Sequence, residues 1–256
     1  MILTQRIVSL VPSLTELLFD LGLDAEIVGL TKFCIHPTDK VAGKTVVGGT
    51  KNVHLARVAA LAPTLILANK EENTRDDIEA LQANFSVLLT DVVTLADAFD
   101  MIVVIGGRVD RQAEARRLTN KIGNSFAALA QHVAAQNAPT TRVAYLIWRD
   151  PWMVVGNQTF IDSMLTVAGF ANAFGHQPRY PVISPGDLQM ADPDVIMLSS
   201  EPYPFKDKHL EELSEICPRA RLILVDGELF SWYGSRLVYS AAYLMNLFHA
   251  LSTNAD

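Results

Sequence analysis

The stretch whose reading decides the fold is Arg111–Ala135, RQAEARRLTNKIGNSFAALAQHVAA. Leu118, Ile122, Phe126, Leu129 and Val133 recur at steps of three and four, while Arg111, Glu114, Arg116, Arg117 and Lys121 crowd its first half. That is the pattern of an amphipathic helix. The stretch holds no proline, and Pro139 closes the region just beyond it. At about 1.5 Å per residue the helix runs about 37 Å, roughly the length of a small domain. On either side short apolar runs alternate with helical patterns, so the spacing predicts an α/β protein. Its expected parts are an N-terminal lobe over 1–110, a rigid linking helix over 111–136 and a C-terminal lobe over 137–256.

The 256 residues are 50% hydrophobic and 19% charged, enough apolar material for a sizeable core and too little charge for disorder. A net charge of −7 and the lack of a Lys/Arg cluster argue against nucleic acid as a partner. Apolar runs such as Met101–Ile105 fall far short of the roughly 20 residues that cross a bilayer, so no membrane span is expected. Only five residues precede Arg6, so no signal peptide is expected within this sequence. Cys34 and Cys217 fall on opposite sides of the long helix and are expected as free thiols.

In the first half, strand Ile7–Val11 ends at Pro12, and Ser13 and Glu16 stand at capping-box spacing before a helix stopped by Gly22. Strand Ile27–Leu30 leads into an irregular segment, Thr31–Lys44, followed by a Gly48-Gly49 turn, a helix near Leu55–Leu61 and strand Leu65–Ala68. Asn73 is placed to cap the next helix, whose first turn carries Asp76 and Asp77. The second half repeats the alternation: strands Val143–Trp148, Val195–Leu198 and Leu222–Val225, helices from Phe160 and His209, and irregular chain over Asn172–Pro185. Strands separated by helices imply mainly parallel sheets covered on both faces.

One internal echo ties the halves together. Pro63, Leu65–Ala68 and Glu71 recur in order and spacing as Pro193, Val195–Leu198 and Glu201. Two lobes of similar build follow, with facing loops at the carboxyl ends of their strands, where open parallel sheets bind ligands. Those loops carry Phe33, His36, Glu71, Glu72, Trp148, Arg149, Trp152, Tyr180, Tyr203, Phe205, Phe230, Trp232 and Tyr233. Flat rings lining a cleft suit a large, flat, partly apolar ligand. The plainer reading is that some of them cap the core beneath the loops.

Catalytic signatures are thin: there is no nucleophile elbow, paired-histidine zinc motif or dinucleotide fingerprint. Cys34 and His36 are two potential metal ligands, and two do not make a site. Arg236, after Ser235 at the start of the last helix, is placed to hold either a backbone carbonyl or an anionic ligand group.

Taken in order, RIVSLVPSLTELLFDLGL, the loop after LILA, WMVVGNQTFIDSMLTVAGFAN, YPVISPGDL and SWYGSR resemble the helical-backbone substrate-binding proteins of ABC importers for metal complexes. The resemblance implies two Rossmann-like lobes joined by one long α-helix. It also implies a cleft for a corrinoid, haem or ferric siderophore, no catalysis, no cofactor of the protein's own, and an ABC permease as partner of a monomer. It places the second-lobe cleft aromatic on Tyr180, the acidic residue before the last helix on Glu228, and the first-lobe tryptophan on Asn69, a departure. The permease-docking carboxylates fall on Asp187 and, displaced by one from Arg75, on Asp76. A periplasmic or cell-surface location is expected from the family, and the missing signal peptide leaves a cytoplasmic one open. The alternative expectation is an intracellular metal- or tetrapyrrole-handling enzyme or carrier on the same scaffold, using Cys34, His36 and Glu71 or Glu228. A weaker third is a module whose aromatic cleft meets a protein segment.

Overall fold

The computed structural model describes residues 5–136 and 139–252. The outer limits of the expected lobes, at 1 and 256, and the start of the second at 137 lie outside the described residues. The chain divides into two compact units. The first takes Met1–Val92, Ala96–Asn120 and Trp232–Arg236; the second takes Val93–Leu95, Lys121–Ser231 and Leu237–Asp256.

In the first unit the opening apolar run forms β1 (Ile7–Ser9), followed by α1 (Pro12–Asp20) and β2 (Ile27–Leu30). The expected capping box does not form. Pro12 takes the first helical position, so Ser13 lies inside the helix and is buried, and Val11 stands as a cap without a side-chain bond. Gly22 does stop the helix, at φ +78°. The segment expected to be irregular contains a short α2 (Thr38–Val41) before β3 (Thr45–Val46). Gly48-Gly49 is more than a turn: β4 (Gly48–Gly49) pairs antiparallel with β5 (Asn52–Val53). Gly48 sits at φ +115°, and a Cβ there would lie 2.4 Å from the Asn52 carbonyl oxygen.

Next come α3 (Leu55–Ala60), β6 (Leu65–Asn69), α4 (Arg75–Gln82) and β7 (Val87–Thr90). The sheet order is β3-β2-β1-β6-β7, every pair parallel, and β6 is buried along its whole length. Val8, Leu10, Val47, Val58, Ile66 and Ile78 pack into one core around it.

Helix α5 (Leu95–Arg108) precedes the long helix, α6 (Gln112–Ala135), which forms over 24 residues as the spacing predicts. Gly106 lets the two approach: a Cβ there would meet Ala115 Cβ at 2.4 Å. The residues of α6 divide between the units at Asn120/Lys121.

The second unit contains β8 (Arg142–Trp148), β9 (Met153–Val154), α7 (Phe160–Val167), β10 (Ala171–Asn172), α8 (Pro185–Ala191), β11 (Val195–Ser199), α9 (Asp207–Ile216), β12 (Arg221–Val225), α10 (Glu228–Ser231) and α11 (Leu237–Ser252). Its sheet runs β10-β8-β11-β12 in parallel, with β9 antiparallel on β8. Two of its helices depart from expectation. Helix α8 follows directly on chain expected to be irregular, with Ser184 and Asp187 as a capping box and Pro185 in its first turn, and α10 interrupts the last loop.

The internal echo proves structural. β6 lies between β1 and β7, and β11 lies between β8 and β12. Each ends in a buried polar residue, Asn69 or Ser199, whose side-chain oxygen accepts the backbone N–H two residues on: Glu71 at 2.8 Å, Glu201 at 3.3 Å. The same side-chain-closed turn redirects the chain after the matching strand of each sheet.

Candidate functional site

Because the strands of each sheet run parallel, their carboxyl ends share one edge, and the loops beyond that edge hold most of the candidate residues. In the first unit these are the loops after β1, β2 and β6. Asn73, expected to cap α4, instead ties them together: its Oδ1 accepts from Asn69 N–H at 2.9 Å, and its amide donates to the Leu10 and Thr50 carbonyls at 3.3 and 3.0 Å. Thr74 caps the helix in its place.

Within that edge Phe33 is half exposed beneath the Lys32 ammonium, 5.0 Å from its ring centroid. Cys34 is buried, its Sγ 3.0 Å from Thr15 Oγ1 and 3.3 Å from Thr31 Oγ1, and burial pushes its thiol up. It is a packed thiol, and both cysteines are free. Glu71 is half-buried, with its carbonyl receiving Lys51 Nζ. Asn69 is 1% exposed. Its amide donates to the Thr90 carbonyl and hydroxyl at 3.2 and 3.0 Å while its oxygen closes the Glu71 turn, so both ends of the group are spent inside the fold.

Trp232 and Arg236 belong to the first unit although their chain neighbours belong to the second. Trp232 is 7% exposed; His36 meets it edge-on with centroids 5.5 Å apart, and the Arg236 guanidinium lies 4.8 Å from its ring centroid. Arg236 grips Glu16 with two hydrogen bonds, 2.9 and 2.7 Å. Beside the two roles left open for Arg236, the structure adds a third, the grip on a carboxylate of its own chain. Burial nonetheless raises the Glu16 carboxyl above its ordinary range, against the lowering pull of Arg236.

The second unit gathers a larger ring cluster at its carboxyl edge. Trp148 ends β8 and is 40% exposed; Tyr203, half-buried in the loop after β11, meets it edge-on at 5.6 Å. Tyr203 packs on Phe205 at 4.8 Å, and Phe205 stacks on Trp152 at 6.2 Å with planes 2° apart. The guanidinium of Arg149 covers Trp152 at 4.4 Å and forks onto Glu212 at 3.0 and 2.6 Å. His209, expected only as the start of a helix, lies inside this cluster, with Nε2 3.1 Å from Tyr203 Oη.

Tyr180 is half-buried between β10 and α8, and Glu228 opens α10, its N–H on Asp226 at 3.0 Å. Beneath these loops Tyr145 donates to Ser199 at 3.2 Å, and Ser231 donates to Glu201 at 2.7 Å. Asp76 is exposed in the first turn of α4, whereas Asp187 is held by Ser184, which keeps its carboxyl below the usual range. Among the described residues no group of three or more His, Cys, Asp or Glu side chains is placed to hold a metal ion.

Each unit shows rings and their polar supports along one sheet edge. A family model described as periplasmic binding protein matches residues 7–216. The chain belongs to that family. It is 26% identical over 257 residues to the vitamin B12-binding protein of Pectobacterium carotovorum subsp. carotovorum (strain PC1), covering 99% of this chain and 92% of that one. It is likewise 26% identical over 242 residues to the uncharacterized ABC transporter substrate-binding lipoprotein YvrC of Bacillus subtilis (strain 168), covering 91% and 76%. Among solved structures, apo periplasmic heme-binding protein RhuT from Roseiflexus sp. RS-1 matches with a TM-score of 0.82 at 22% identity, covering 97% of this chain and 99% of that one. Periplasmic vitamin B12 binding protein BtuF of Vibrio cholerae matches with 0.82 at 16% identity, covering 96% and 97%. These likenesses carry the fold: two α/β units with parallel sheets and a long helix.

Proposed function

We propose that the protein is the substrate-binding component of an ABC importer and captures a metal chelate of the corrinoid or tetrapyrrole type, or a ferric siderophore. The observation that carries this reading is family membership over residues 7–216, joined to a carboxyl edge in each unit rich in aromatic side chains. Relatives named for vitamin B12 and structural neighbours named for heme support the ligand class. The protein acts by binding rather than catalysis, carries no cofactor of its own and works as a monomer outside the cytoplasmic membrane. No helix among the described residues is long and apolar enough to cross a membrane.

Trp148, Tyr203 and Tyr180 are the ring surface of the second unit; Phe33, His36 and Glu71 are their counterparts in the first. Trp152 and Trp232, each about 7% exposed, act beneath that surface as packing. A permease is the partner, with Asp76 the freer of the two docking carboxylates, since Asp187 is engaged in its helix cap. Titration with cobalamins, haem and ferric siderophores, followed by tryptophan emission and thermal shift, tests the reading. Saturable quenching with one class is expected, and silence with all three refutes it.

A further inference from the structure

Strand β8 does not keep its alternation to the end. Leu146 is fully buried and pairs with Val154 of β9, and strict alternation would turn Trp148, two residues on, into the same core. The register instead shifts between Leu146 and Trp148, and Trp148 pairs with Met153. A bulge of this kind re-aims the side chain beside it, and Trp148 is left 40% exposed where Leu146 is wholly covered. Strand β9 shows what the outer face carries. Trp152 and Val154 enter the core of the second unit, so Met153 between them faces the other way and is half-buried. Residues 181–183 run antiparallel alongside β9: Val154 N–H donates to the Pro181 carbonyl at 3.1 Å and Ile183 N–H to the Trp152 carbonyl at 3.0 Å, with Val182 opposite Met153. Ile183 joins the core and Val182 is 61% exposed. Residues directly opposite on antiparallel strands share a face, so Trp148, Met153 and Val182 form one apolar row across three strands. At about 4.8 Å per strand the row spans about 10 Å. It lies at the carboxyl end of β8, and Tyr203 meets Trp148 edge-on at 5.6 Å, so it is continuous with the ring cluster described above.

We infer that this row is a platform for the bare face of a planar tetrapyrrole, with Met153 and Val182 as its specificity-determining residues. The inference deepens the proposed function and rests on it, selecting one of the ligand classes named there. A flat macrocycle laid on the row gains buried apolar area and close contact with the indole, the thioether and the valine methyls. Met153 and Val182 offer no strong hydrogen-bonding group. Polar chains projecting from a ligand's face would therefore be pressed against them without partners, at a cost in affinity. A corrinoid carries amide chains on both faces, and a hydroxamate siderophore presents no ring plane of this breadth.

Titration of the whole protein with iron protoporphyrin IX, cyanocobalamin and ferrioxamine B tests the platform. The wild type is expected to bind the porphyrin most tightly. Val182→Asn sets an unpartnered amide under the macrocycle and should weaken porphyrin binding about tenfold. Because Val182 is largely exposed in the free protein, its replacement should leave the melting temperature unchanged. Met153→Asn should weaken porphyrin binding in the same direction. Met190→Asn, at a residue 80% exposed on α8 and off the row, should leave it unchanged.

Porphyrin binding that Val182→Asn does not weaken, or that Met190→Asn weakens as much, overturns the platform and leaves the importer reading standing. Tighter wild-type binding of cyanocobalamin or ferrioxamine B than of the porphyrin does the same. If the wild type binds none of the three, the functional reading falls and the platform with it.

Discussion

Removing Arg236 tests the clamp on Trp232 most directly. In Arg236→Met the Glu16 side chain, 12% exposed, keeps its burial and loses both guanidinium hydrogen bonds. Stranding one member of a buried pair costs about 3 kcal/mol. For a chain of this size that is a fall of about 6–12 °C in melting temperature. The loss should depend on pH. Burial already raises the Glu16 carboxyl, with Asp20 adding to the rise and Arg236 and then His36 opposing it. Without Arg236 only His36 opposes, and the folded carboxyl climbs further above its unfolded value. A carboxyl raised on folding contributes stability while protonated, and that contribution is lost as pH rises through the raised value. The deficit should therefore be full at pH 8 and shrink as pH falls towards 5. Glu16→Gln removes the charge that burial penalises and leaves an amide oxygen for Arg236, so its cost should be about 1 kcal/mol or less. Thermal melts of both variants from pH 5 to 8 decide the matter. A deficit in Arg236→Met that ignores pH, or a Glu16→Gln variant just as unstable, refutes the reasoning.

Four further outcomes are expected. Gly234→Ala puts a Cβ 2.7 Å from the Ser13 carbonyl oxygen and should cost about 2 kcal/mol in denaturant unfolding. Asn69→Ala leaves the Glu71 N–H without its acceptor and should cost about 1–3 kcal/mol, whereas Asn69→Trp, restoring the ring that the resemblance places there, should not fold stably at a position 1% exposed. Cys34 and Cys217 are buried with thiols raised by burial, so a disulfide reagent should label neither at pH 7 until the protein unfolds. Trp148, at 40% exposure against 7% for the other two tryptophans, should supply most of the acrylamide-quenchable emission; a Trp148→Phe variant that stays fully quenchable would contradict this.

The sequence was most readable where periodicity or strand composition is local. Helix α6 declares itself by its three-and-four spacing, and β6 and β11 by short apolar runs after a proline at matching distances. Helix α8 hid because Gly186 and Pro185 read as loop, although Ser184 and Asp187 already carried its cap. Ser13 misled because Pro12 moved the helix start by one position. What no window could reveal were long-range partners: Glu16 and Arg236 stand 220 positions apart, and only the fold joins them in an ion pair. The burial of Trp232 has the same origin, since its segment leaves one unit's run of sequence to pack in the other. Tyr203 and His209, six positions apart, were in plain view, but only the fold brings the imidazole onto the phenol.

The segment Trp232–Arg236 also sets an order of events during synthesis. Glu16 and His36 emerge from the ribosome early, yet the cation and the indole they pack against are translated only just before the final helix. Until then a carboxylate destined for burial waits without its counter-charge, so the amino-terminal unit reaches its finished form almost as late as the chain itself.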